Sequence, residues 1–354
     1  MSALLRALWN PIVAKEYRSR MRTWRSPVAL MVYILLLGGL GWAIFAAMAS
    51  STTTGYGSPP TNYGPTLFVF LVIFQMVLLA FITPALTAGA ISGERERQTI
   101  DLLFVTLIPP FSIIWGKLLA SISFVLLLLL LSIPIFSLVF LFGGVELDQV
   151  FYAFVLTGVT ALTLGTIGIA FSTLLRRTLP ATVAAYATAF LLLAGSPLYG
   201  VLFPSDIDPG ATTLPAPPVV SYLGPILPLA TIATNAPVPG FGVRFGGALF
   251  GSSGGGTSCV SSGNGPTTCY PTGANVPPGI GRPGGGGVNL KQPYGPAAAV
   301  GATLPTGPFA GWQYWQASVA MQLAICVVAL SASALLLPPV RRLRRPHRSV
   351  PAAV

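Results

Sequence analysis

The sequence predicts an all-α membrane protein of six transmembrane helices, and three observations lead there. Charged residues make up 8% of the chain, against about 25% in ordinary soluble proteins, while 53% is hydrophobic and mean hydropathy is +0.76. Six mostly uncharged runs, at 27–49, 66–91, 112–142, 150–175, 179–203 and 313–337, are each long enough to cross a bilayer. The basic residues lie beside those runs, so the net charge of +11 is a membrane-topology signal rather than a nucleic-acid footprint.

The segment before the first run, residues 9–25, reads as an amphipathic interfacial helix. Asn10 is a good N-cap and Pro11 suits the first helical position. Lys15, Arg18, Arg22 and Arg25 share one face, and Trp9, Ile12, Val13, Tyr17 and Trp24 the other. Glu16 and Arg20, four apart, are spaced to pair. Such a helix lies along a membrane surface, either as a positive-inside anchor or as a docking face for a cytoplasmic partner. The run that follows reads as a retained span, because 26 residues precede it and it is too long for the apolar region of a signal peptide.

After the second run comes the only densely charged inter-span segment, SGERERQTIDLLFVTLIPP, from Ser92 to Pro110. Ile100, Leu103, Phe104 and Leu107 make an apolar stripe, Glu94, Arg97, Gln98 and Asp101 line the opposite side, and Pro109 ends the pattern. The spacing predicts a helix over 93–108 that packs its apolar face on the bundle and turns its charges away, toward another protein or toward water. In the third run, Pro134 predicts a kink, and Lys117 is expected to snorkel to the interface. Gly158, Gly165 and Gly168 in the fourth run allow close helix approach, within one subunit or between two.

The stretch 204–312 is far longer than ordinary helix connections. Its first part, PPVVSYLGPILPLATIATN, is apolar but interrupted by Pro225 and Pro228, which suits a short re-entrant or interfacial segment. From Gly240 onward it is rich in Gly, Pro, Ser and Thr, the composition of a flexible external loop. Cys259 and Cys269 lie within it, either bonded to each other or free, and Cys326 in the last run reads as a packing residue. The tail 338–354 carries Arg341, Arg342, Arg344, Arg345 and Arg348, a topology signal that could also hold anionic lipid.

Sixteen of the nineteen basic residues fall on one side of the membrane, which places both termini in the cytoplasm and the 204–312 loop outside. No GxxxxGK[ST] phosphate cradle and no HExxH are present, and acidic residues are almost absent from the spans. The expectation is a chain with no catalytic residues and no metal or cofactor of its own, which disfavours an intramembrane hydrolase or a proton-coupled carrier.

Two stretches, NPIVAKEYRSRMR before the first span and TPALTAGAISGERERQTIDLLFVT after the second, resemble permease subunits of ABC-2-type transporters. The resemblance covers roughly residues 9–203 and the last span; the Gly-rich loop has no counterpart, and VTLIPP departs from the more usual VTPLSP. It implies a plasma-membrane protein of prokaryotic type that pairs with a second permease subunit, identical or not. Separate cytoplasmic ABC ATPase subunits would bind ATP and Mg and drive export. Carried over residue by residue, Glu94, Arg95, Glu96, Arg97, Gln98, Thr99 and Asp101 would contact the ATPase through a coupling helix, joined by Lys15, Glu16 and Arg18. The alternative is a membrane anchor that passes ATPase-driven force to an external partner without transport.

Overall fold

The structure is a computed structural model and describes residues 24–53, 63–98, 110–202, 219–234, 257–260, 268–271, 309 and 311–336. Residues 9–23 of the expected interfacial helix, most of the Gly-rich loop and the tail 338–354 lie outside the described residues. In chain order the helices are α1 (Arg25–Thr53), α2 (Tyr63–Thr87), α3 (Ser92–Glu96), α4 (Pro110–Leu131), α5 (Ile133–Leu141), α6 (Leu147–Leu174), α7 (Thr178–Leu202), α8 (Ile226–Thr234) and α9 (Tyr314–Leu336). A 3-10 turn at Val219–Tyr222 precedes α8, and the one strand pair among the described residues is β1 (Thr257–Val260) with β2 (Thr268–Pro271). Among the described residues six segments are long and apolar enough to span a membrane, α4 and α5 together forming the third.

The bundle gathers around α6, which packs on α2, α4, α7 and α9. Its inner positions are small or hydroxylated: Thr157, Thr160, Ala161, Thr163, Gly165 and Gly168 are all buried. Between membrane helices, small residues let backbones approach, and a threonine can return its hydroxyl to a carbonyl one turn back; Thr157 does so to Ala153. A Cβ on Gly168 would lie 2.1 Å from Thr87 Oγ1, and one on Gly165 2.8 Å from Ile122 Cδ1, so both glycines serve packing inside the subunit. Gly158 has open space around it.

The third span breaks at Ser132, two residues before Pro134. Ser132 shares its N–H between Leu128 O and Leu129 O and returns its hydroxyl to Leu129 O at 2.7 Å. Pro134, which has no N–H, then falls in the first turn of α5, where none is needed.

The proline-interrupted apolar stretch packs into the bundle as a short helix. At nine residues, α8 rises only about 14 Å, too little to cross. Leu229 and Ile232 nevertheless join the main core beside Phe68, Leu79 and Leu156. The preceding turn is tied to the start of α9: Tyr314 OH donates to Ser221 O at 3.1 Å and Ser318 Oγ donates to Tyr222 O at 2.9 Å. Gly224 fits so closely that a Cβ there would lie 1.9 Å from Ser196 Oγ of α7.

α6 and α9 are joined by a buried polar seam. Thr160 Oγ1 donates to Gln322 Oε1 at 2.9 Å, and the Cys326 thiol meets Thr163 Oγ1 at 3.3 Å. Cys326 thus packs inside the bundle, 4% exposed, as a small residue with a weak hydrogen bond.

Candidate functional site

The charged segment after α2 folds against the bundle through backbone and side chains alike. α2 ends at Thr87, a turn covers 88–91, and α3 begins at Ser92. The first amides of a helix lack partners within it. Here a side chain from another helix supplies one: Ser172 Oγ of α6 accepts the N–H groups of Ile91 and Ser92 at 2.9 and 3.0 Å.

Three successive charges then reach three different helices. Glu94 turns toward α4, where Lys117 Nζ donates to its Oε1 at 2.8 Å. Arg95 Nη1 donates to Thr173 O at 2.9 Å, at the C-terminal end of α6 where carbonyls are unpaired and the helix dipole is negative. Glu96 receives the N–H of Thr178 at 2.8 Å and its hydroxyl at 2.9 Å, at the positive N-terminus of α7. The Thr178 N–H and hydroxyl, assisted by the neighbouring Arg177 charge, hold the Glu96 carboxyl below its usual range.

These contacts correct two expectations. The charges at Glu94, Arg95 and Glu96 do not turn away from the bundle; helix ends and a buried ammonium give them partners that water alone would not. Lys117 does not snorkel to the interface either: its side chain is 7% exposed and ends on Glu94. The continuous helix predicted over 93–108 is also interrupted. Arg97 caps α3, and Gln98 adopts φ 56°, the left-handed conformation that commonly closes a helix.

Arg97 and Gln98 are exposed, as are Arg176 and Arg177 in the α6–α7 turn on the same end of the bundle. The result is a cationic rim around a carboxylate, Glu96, that is also exposed. Glu146 and Asp148 lie at the opposite end, at the start of α6. Thr99 and Asp101, together with Lys15, Glu16 and Arg18, lie outside the described residues. Among the described residues no group of three or more His, Cys, Asp or Glu could hold a metal ion.

Ser172, Thr173, Thr178 and Lys117, which anchor the charged turn, were not singled out as a site by sequence reasoning. The available signal was their place at span ends facing the 92–98 segment: polar groups there either meet water or meet one another.

A family model described as ABC-2 family transporter protein matches residues 10–229, more than half of the chain. No curated protein matches it significantly. The matched region takes in the charged turn, its anchors on α4, α6 and α7, and five of the six spans.

Proposed function

The chain belongs to the ABC-2 transporter family, and from that premise we propose that it is an exporting permease subunit whose α3 turn receives force from a separate cytoplasmic ATPase. Membership makes the chain a membrane-transport component of an ABC transporter. The observation that carries the finer reading is the three-way anchorage of α3: Glu94 on α4, Arg95 on α6 and Glu96 on α7. A push on an isolated surface loop would dissipate in that loop. A push on a turn bonded to three spans displaces their cytoplasmic ends together, the rigid-body type of motion that alternating access needs.

In this reading the exposed rim of Arg97, Gln98, Arg176 and Arg177 is the face that meets the ATPase. The resemblance assigns Thr99, Asp101, Lys15, Glu16 and Arg18, which lie outside the described residues, to the same contact. Glu94, Arg95 and Glu96 then serve chiefly as the latch behind the contact. ATP and Mg belong to the partner; this chain performs no bond chemistry and supplies the path. Two permease subunits, identical or not, would enclose that path, with both termini and the α3 end in the cytoplasm.

The reading is tested by purifying the tagged chain from its native membrane. An ATP-binding protein should co-purify in stoichiometric amount, and ATP should drive flux in vesicles made from the complex. A chain that purifies without such a protein, under conditions that keep it helical, contradicts the reading.

A further inference from the structure

At the end of the bundle opposite α3, the break at Ser132 splays α5 from α6 and opens a groove of about 820 Å³. Its body is apolar: Ile133, Phe136 and Phe140 on α5 face Phe151 and Phe154 on α6. Phe136 and Phe154 meet edge to face with centroids 5.1 Å apart and fix the floor. Its polar lining is confined to Asp148, in the first turn of α6, and Ser137, midway along α5, whose hydroxyl donates to Pro134 O at 2.6 Å. Asp148 and Phe154 are six residues apart on one helix, so the groove descends about 9 Å from the carboxylate into the hydrocarbon depth of the span.

Charge decides what fills it. Asp148 is exposed, its Oδ1 accepts the Gln149 N–H at 2.9 Å, and no basic side chain among the described residues pairs with it. A carboxylate above an apolar slot disfavours an anionic head and favours an ammonium that can donate hydrogen bonds, while the phenyl rings accept an acyl chain. We infer that the α5–α6 groove binds a membrane phospholipid whose headgroup ends in a primary ammonium, with the headgroup on Asp148 and one acyl chain along Phe140, Phe151 and Phe154. The inference concerns binding by this chain and stands apart from the ATPase reading.

The test uses the full chain in bilayer nanodiscs of equal parts phosphatidylethanolamine and phosphatidylglycerol, with retained lipids identified by native mass spectrometry. Asp148 is exposed, so water competes for the ammonium, and the parent should retain phosphatidylethanolamine up to about fivefold over phosphatidylglycerol. Asp148→Asn should bring the two lipids to parity, and Asp148→Glu should restore the preference. Ser137→Trp, which fills the slot, should remove retention of both, with helix content unchanged by circular dichroism. Parity in the parent, meaning boundary lipid only, would overturn the inference. So would a preference that persists in Asp148→Asn, or retention unaffected by Ser137→Trp.

Discussion

Lys117 on the third span and Glu94 on the turn after the second form an ion pair of 2.8 Å in which the ammonium is the buried member, with side-chain exposures of 7% and 33%. The asymmetry predicts unequal mutants. Glu94→Gln leaves an ammonium buried without its counter-charge, and should cost about 2 kcal/mol, below the range for fully buried pairs because water reaches Glu94. Lys117→Met removes the buried charge itself and leaves a carboxylate that can turn to water, so it should cost less. The double variant should lie closer to the parent than Glu94→Gln does. Thermal melts of the detergent-purified chain check the order; equal losses would mean that the pair is not desolvated.

Glu96 sits on the N-terminus of α7 with its carboxyl held below its usual range by the Thr178 N–H and hydroxyl. A carboxyl depressed in the folded state contributes stability that is fully present above its unfolded pKa and is lost as pH falls through the folded value. The parent should therefore lose stability on acidification with a component that Glu96→Gln lacks. Melting temperatures of both proteins, taken between neutral pH and the acid edge of detergent solubility, give the comparison. Identical pH slopes would dismiss the cap.

Gly168→Ala drives a methyl to 2.1 Å from Thr87 Oγ1 and 3.0 Å from Thr87 Cβ, whereas Gly158→Ala meets nothing within 4 Å. The first should destabilise by about 1–3 kcal/mol, as overpacking does, and the second should be neutral or slightly favourable, since alanine restricts the unfolded chain and suits a helix better. The difference in melting temperature between two single-methyl variants isolates packing from chemistry.

Cys259 and Cys269 stand directly opposite each other in the β1–β2 ladder. Residues so placed have Cα atoms about 4.5–5.5 Å apart, within the range of about 4.4–6.8 Å that a disulfide spans. A non-reducing peptide map of protein from the native membrane should recover the linked pair, and alkylation of both thiols before reduction would exclude it.

The spans were legible because apolar length is a coarse, redundant signal: twenty-odd residues must agree, and no single side chain changes the result. Pro134 was legible as a break because proline supplies no N–H to continue the helix, although Pro84 and Pro197 sit inside unbroken helices. The direction of the charges on α3 was not. A turn of five residues carries too little periodicity to say which side faces inward, and the partners that decide it, Lys117, Thr173 and Thr178, are 23, 78 and 82 residues away. Gln98 hid the helix break because the usual marker of a left-handed cap, glycine or asparagine, is absent there. The short α8 was half legible: its prolines announced that it could not span, and only the packing of Leu229 and Ile232 placed it in the core.

The central claim, that the α3 end of the bundle meets a separate ATPase, is tested most directly by site-specific photo-crosslinking in the native membrane. A photoreactive phenylalanine analogue at exposed Arg97 should form one major adduct, with a protein that binds ATP, and its yield should change when ATP is hydrolysed. The same analogue at Leu141, exposed at the far end of the third span, should form none with that protein. Adducts of equal yield from both positions, or none from Arg97 in a chain that remains inserted, would contradict the account.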